Sequence, residues 1–179
     1  MNPNNDDWAP YLDPGETILW QGQPDGRVVL RIGNIAVMIF GLFFAGFALV
    51  WMVLAAGAGG FFWAFGLIHF SVGAGIVLGS LFFPAIRRRN SFYTLTSSRA
   101  FIATSLPFAK RSLRSYPIAA DTTLVIEAGN PGSVYFAEEL RRQRNSSHHV
   151  RVGFERIADA EHVYALMRQI QRGQHENAD

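Results

Sequence analysis

The sequence predicts a membrane α-helical hairpin of two transmembrane helices plus a small β-rich domain, a bent antiparallel sheet capped by a C-terminal helix. Three observations carry this expectation. Residues 32–86 form two long apolar runs almost free of polar side chains. Residues 91–154 change to short alternating segments broken by turns, and residues 157–172 return to helical spacing with one apolar side.

Composition agrees with that division. The 179 residues allow one compact domain and a membrane segment, not two full globular domains. Charged residues make up 17% of the chain, against about 25% in ordinary soluble domains. Between Ile32 and Ile86 the polar side chains are Asn34, His69, Ser71 and Ser80. Acid and base are segregated elsewhere. Residues 1–26 carry Asp6, Asp7, Asp13, Glu16 and Asp25 with no Lys or Arg, whereas 14 Lys/Arg face 9 Asp/Glu from Arg87 onward. A basic domain beside a membrane is drawn to anionic headgroups. Cysteine is absent, which excludes disulfides and thiolate metal sites.

The first element expected is a helix over 32–56 and the second a helix over 61–86. A bilayer core about 30 Å thick needs roughly 20 helical residues to cross it, and each run is long enough. Gly57-Ala58-Gly59-Gly60 supplies a tight, uncharged reversal. A signal peptide fits poorly, because the first run follows 31 largely polar residues and a second run comes at once. A soluble helical hairpin would carry a polar stripe every 3.6 residues, and these runs have none. Arg27 and Arg31 precede the first span, Arg87, Arg88 and Arg89 follow the second, and the turn carries no charge. Positive charge collects on the cytoplasmic side, so both termini are expected there. Trp51, Phe61, Phe62 and Trp63 near the turn suit the far headgroup level.

Small residues mark the expected helix contact. Gly41, Ala45 and Ala48 make a stripe on the first span, and Ser71, Gly75 and Gly79 repeat every four residues on the second. Such stripes let backbones approach inside lipid, here within one hairpin rather than between two copies. His69 is an ionisable group in a span, which raises a proton-relay or ion-ligand role. No acidic residue accompanies it, and a neutral imidazole bonded to backbone or Ser71 is the simpler reading.

After the arginines, strands are expected at Ser91–Thr96, Arg99–Thr104, Lys110–Ile118, Thr122–Glu127, Ser133–Ala137 and His149–Phe154. Gly129-Asn130-Pro131-Gly132 signals a turn. Glu138–Ser147, highly polar, reads as a protruding loop or ragged strand ends. The closing helix, 157–172, puts Ile157, Ala160, Val163, Tyr164, Met167 and Ile170 on one side. Residues 173–179 read as a disordered tail.

Two stretches resemble a known family. Tyr93-Thr94-Leu95-Thr96-Ser97-Ser98-Arg99 looks like the Y-x-L-T-x-x-R opening of bacterial pleckstrin-homology-like (PH-like) membrane proteins. Pro14 to Pro24 matches their leading P-G-E-x-x-L-W-x-G-x-P segment, and the order of parts is similar. The resemblance implies a cytoplasmic PH-like domain over 87–172 in the bacterial inner membrane. Such a fold has seven strands and a helix, and six strands follow the spans. Thr17–Gln21, in the N-terminal segment 1–31, is the expected seventh.

No catalytic constellation accompanies this architecture. HExxH, a phosphate-binding glycine loop, a nucleophile elbow and paired carboxylates are all missing. Adjacent strand residues such as His148 and His149 face opposite sides and do not share a metal. Glu138-Glu139 reads as a solvated turn. No enzyme activity and no cofactor are expected. The basic residues Arg87, Arg88, Arg89, Lys110, Arg111 and Arg114 are the candidate contacts to the membrane surface or to anions, with Arg141, Arg142 and Arg144 as a further cluster. Besides the lipid bilayer, the expected partners are a protein or anionic lipid headgroups. Nucleic acid is not expected, because aromatic and basic residues do not interleave in a recognisable motif. The sequence therefore reads as a membrane-anchored, noncatalytic binding module. The alternative is a small transport or channel component built around His69.

Overall fold

The computed structural model describes residues 8–30, 32–107, 109–143 and 146–176. Arg31 and Arg144 lie outside the described residues, as do residues 177–179 of the expected tail. The chain divides into two units, a helical one spanning Gly26–Arg88 and a β unit assembled from the segments on either side of it.

In the helical unit, α1 runs from Ile32 to Gly57 and α2 from Phe65 to Arg89, with a short 3-10 turn at Phe62–Ala64 between them. The 26 residues of α1 span about 39 Å. Gly59 and Gly60 take φ of +81° and +80°, so the reversal uses backbone that side-chain-bearing residues seldom adopt. Arg87, Arg88 and Arg89 form the last turn of α2 rather than following it. Basic side chains there complement the negative end of the helix dipole.

Among the described residues, the β unit has seven strands and a long helix. Ile18–Gly22 (β1), Ser91–Thr96 (β2), Arg99–Thr104 (β3) and Ser112–Pro117 (β4) form one sheet in the order β1-β2-β3-β4. Val125–Glu127 (β5), Gly132–Gln143 (β6) and Ser146–Ile157 (β7) form a second in the order β5-β6-β7. Every pairing is antiparallel. Trp20 stands opposite Leu95 and Gly22 opposite Tyr93, so α1 and α2 are an insertion in the connection between two neighbouring strands. The closing helix α3 is Ala160–Glu176.

Inward side chains from both sheets meet α3 in one core. Tyr93, Leu95 and Ala100 from the first sheet join Val134, Phe136, Phe154 and Ile157 from the second, with Val163, Met167 and Ile170 from α3. Phe154 is its centre, fully buried, stacked on Tyr93 at 4.8 Å and touching Phe136 edge-on at 5.1 Å. Burying one such ring contributes about 1.5–3 kcal/mol.

One expectation is narrowed and one corrected. Of the two readings of Glu138–Ser147, strand ends replace the loop: β6 runs to Gln143 and β7 starts at Ser146, with Glu138 opposite Arg151 and Gln143 opposite Ser146. This ribbon extends beyond β5, which ends its pairing opposite Tyr135, so polar residues are tolerated on both faces. The closing helix begins at Ala160, because Ile157 still belongs to β7, and it runs to Glu176 rather than stopping at 172.

Candidate functional site

The structure makes the two motif segments halves of one joint. Pro14-Gly15 turns the chain with Gly15 at φ +84°, which presents Glu16 to the β2–β3 turn. The Glu16 carboxylate accepts hydrogen bonds from Ser98 Oγ at 2.8 Å and Arg99 Nε at 3.2 Å. It also bonds to the Thr96 hydroxyl and pairs with Arg99 Nη2. Asp13 adds a second carboxylate to Arg99 at 3.0 Å, and its backbone N–H donates to Glu16 at 2.9 Å. The Glu16 side chain is only 2% exposed. The Arg99 guanidinium, helped by Thr96, Asp13 and Ser98, holds its carboxyl down at about 2 against the opposing effect of burial.

Farther along the same motif, Trp20 packs on Phe154 at 5.5 Å, and its indole N–H reaches Asp159 at 3.4 Å. Gly22 leaves the room for that ring, since a Cβ there would lie 2.3 Å from Trp20 Cζ2. Pro24 is buried, and Asp25 pairs with Arg156 at 2.9 Å. Trp8 lies edge-on to Phe101 at 5.7 Å, so residues from 8 onward cover one face of the first sheet. Glu16, Trp20 and Gly22 hold the N-terminal segment on the β unit. Among the described residues no three His, Asp or Glu side chains come together as a metal would require. His149 contacts Glu138 at 3.7 Å on the exposed ribbon.

The basic residues do not share one environment. Arg87 and Arg89 are exposed, but Arg88 is buried and donates to the Arg27 carbonyl at 2.7 Å. Arg88 is therefore a brace within the helical unit, not a surface cation. Arg114 of β4 makes a two-pronged contact with Glu139 of β6 at 3.0 and 3.3 Å, and the Tyr116 hydroxyl donates to the same carboxylate at 2.5 Å. That cluster ties the two sheets together. Tyr116, then burial and Arg114 acting against each other, leave the Glu139 carboxyl below its ordinary value. Arg114 is thus about half exposed while already paired with a carboxylate. Lys110 and Arg111 remain exposed, just before β4. The Ser105 N–H bonds the Asn90 carbonyl at 2.8 Å, so their loop starts beside the residue that follows α2. Arg141 and Arg142 are exposed on the β6–β7 ribbon.

The helix contact follows a different stripe from the one expected on α2. On α1, Gly41 and Ala48 are buried and Ala45 touches Gly73. On α2 the partners are Gly66, Gly73 and the Val77–Ser80 turn. A Cβ at Gly73 would lie 2.7 Å from the Ala45 backbone nitrogen, and the Asn34 amide donates to the Ser80 carbonyl at 2.9 Å. Ser71, Gly75 and Gly79 are exposed, with nothing within 4 Å of a Cβ at either glycine. His69 does not bond Ser71. Its Nδ1 faces the Phe65 carbonyl at 3.4 Å, one turn back.

Searches of protein-family models, curated proteins and solved structures find no match to this chain. Function therefore rests on the residues within each unit.

Proposed function

We propose that the chain is a two-span membrane protein whose β unit, PH-like in design, lies at the cytoplasmic surface as a noncatalytic binding module. The observation that carries this reading is the exposure of α1 and α2. Only 17% of the most apolar stretch of α1 and 11% of that of α2 is buried within the protein, unlike the core helices of a soluble domain. Side chains such as Phe43, Phe47, Leu54 and Ile68 are each more than 60% exposed. Water would be a costly neighbour for so much apolar surface, and lipid is not.

Strand pairing supports an even number of crossings. β1 precedes the helices and β2 follows them, yet the two are hydrogen-bonded neighbours. An odd number of crossings would leave them on opposite sides of a bilayer. Exposed Arg27, Arg87 and Arg89 flank the helices, and the turn carries no charge, which favours the cytoplasm for the β unit. Sheets of four and three strands followed by a helix match the strand count of the PH-like fold. Exposed Lys110 and Arg111 are its best contacts to anionic headgroups. The exposed edge strand β4 offers backbone groups to which a protein partner could add a strand.

Replacing residues 26–88 by a short Gly/Ser linker, which the Gly22–Tyr93 pairing permits, tests the binding role. The resulting β unit is expected to float with anionic vesicles and not with neutral ones, and Lys110→Glu with Arg111→Glu should abolish the difference. Equal behaviour with both vesicles would remove lipid and leave a protein as the partner.

A further inference from the structure

We propose that an aromatic cavity in the helical unit binds a membrane-dissolved compound carrying a planar ring and a hydroxyl group, of the phenol or quinol class. This rests on the reading of α1 and α2 as embedded in lipid.

Phe44, Phe47, Ala48 and Trp51 of α1, with Phe65, Gly66 and His69 of α2, line a concavity of about 270 Å³. Drug-sized ligands use pockets from roughly 300 Å³ upward, so this one suits a head of one or two rings. Its depth comes from Ala48 and Gly66 between large neighbours. Trp51 and Phe65 lie 6.4 Å apart, Phe65 and His69 5.3 Å, and His69 and Phe44 6.0 Å, forming a continuous chain of rings. Planar ligands gain from edge and offset contacts with such rings beyond what an acyl chain gains.

His69 is the side chain of the lining that can accept a hydrogen bond, the Trp51 indole N–H being a donor only, and it sets the chemistry of the ligand. The carbonyl of Phe65 only accepts, so Nδ1, which faces it at 3.4 Å, is the donor of that pair. Nε2 is then a bare acceptor. In an apolar setting an acceptor without a donor costs free energy, and an acyl chain offers none. A ring hydroxyl supplies it while the ring itself stacks among the phenylalanines. His69 lies on the order of 10 Å along the axis from Phe62, so a ligand enters from the leaflet beside the turn.

The test uses the full chain in phosphatidylcholine vesicles, first recovered by flotation, so that failure to insert is separated from failure to bind. A diazirine-bearing alkylphenol is photolysed and its adducts are mapped by mass spectrometry. Adducts are expected to saturate on 44–51 and 65–69. Excess para-decylphenol should compete roughly tenfold better than its methyl ether, the factor a single hydrogen bond supplies. His69→Phe should erase that preference, and His69→Gln, which keeps an acceptor, should retain part of it. Equal competition by phenol and ether in the native chain would overturn the proposal. So would adducts spread evenly along the lipid-facing sides, as bulk acyl chains give, or cross-links joining two chains at the cavity.

Discussion

Glu16 and Arg99 illustrate how few side chains hold the N-terminal segment on the sheet. Their partners are about eighty positions apart, so nothing local in the sequence announces the joint. What was legible was its two ends, the P-G-E segment and the L-T-x-x-R segment, without the fact that each completes the other. Arg99→Leu leaves a carboxylate that is 2% exposed without its cation, and removing one partner of a buried pair costs about 3–5 kcal/mol. Glu16→Gln keeps shape and some hydrogen bonds and should cost less, about 1–3 kcal/mol. Thermal unfolding of the two variants in detergent checks the order. The same pair sets a pH dependence. A carboxyl at about 2 in the folded state and near 4.5 when free stabilises the fold above pH 4.5. That contribution fades as pH falls from 4.5 toward 2, and Glu16→Gln should flatten this part of the stability profile.

At the scale of elements, long apolar helices were the easiest to read, since a span needs an uninterrupted run and little else. Which face of α2 meets α1 was not readable, because glycines occur on both faces. The four-residue series 71, 75, 79 and the seven-residue series 66, 73, 80 are equally regular in the sequence. Contacts decide for the second. Gly73→Leu is expected to force the helices apart, at a cost of about 1–3 kcal/mol or more, while Gly75→Leu should be nearly neutral. Resistance of the two variants to thermal unfolding in lipid nanodiscs separates them. The ribbon formed by 138–143 and the start of β7 was left open between loop and strand ends for a related reason. A two-stranded arm with solvent on both faces has no burial to enforce alternation of apolar and polar residues. Strands of the core, such as Ser91–Thr96 with Tyr93 and Leu95 inward, do have that constraint and were readable.

For the whole molecule, the pairing of β1 with β2 ties topology to fold. On the proposed reading of α1 and α2 as spans, the sheet closes only when both ends of the helical insertion are on one side, which couples membrane crossing to β-sheet assembly. A chain that crossed once would lose β1, and with it Trp20 from the core. The cysteine-free sequence allows this to be measured with single introduced thiols. Ala58→Cys in the turn and Asp121→Cys in the β unit are both exposed positions. In intact bacterial cells freed of their outer membrane, an impermeant maleimide is expected to label Ala58→Cys at once. Asp121→Cys should react only after the membrane is opened. Labelling of both from outside, or recovery of the chain in the soluble fraction, would contradict the account.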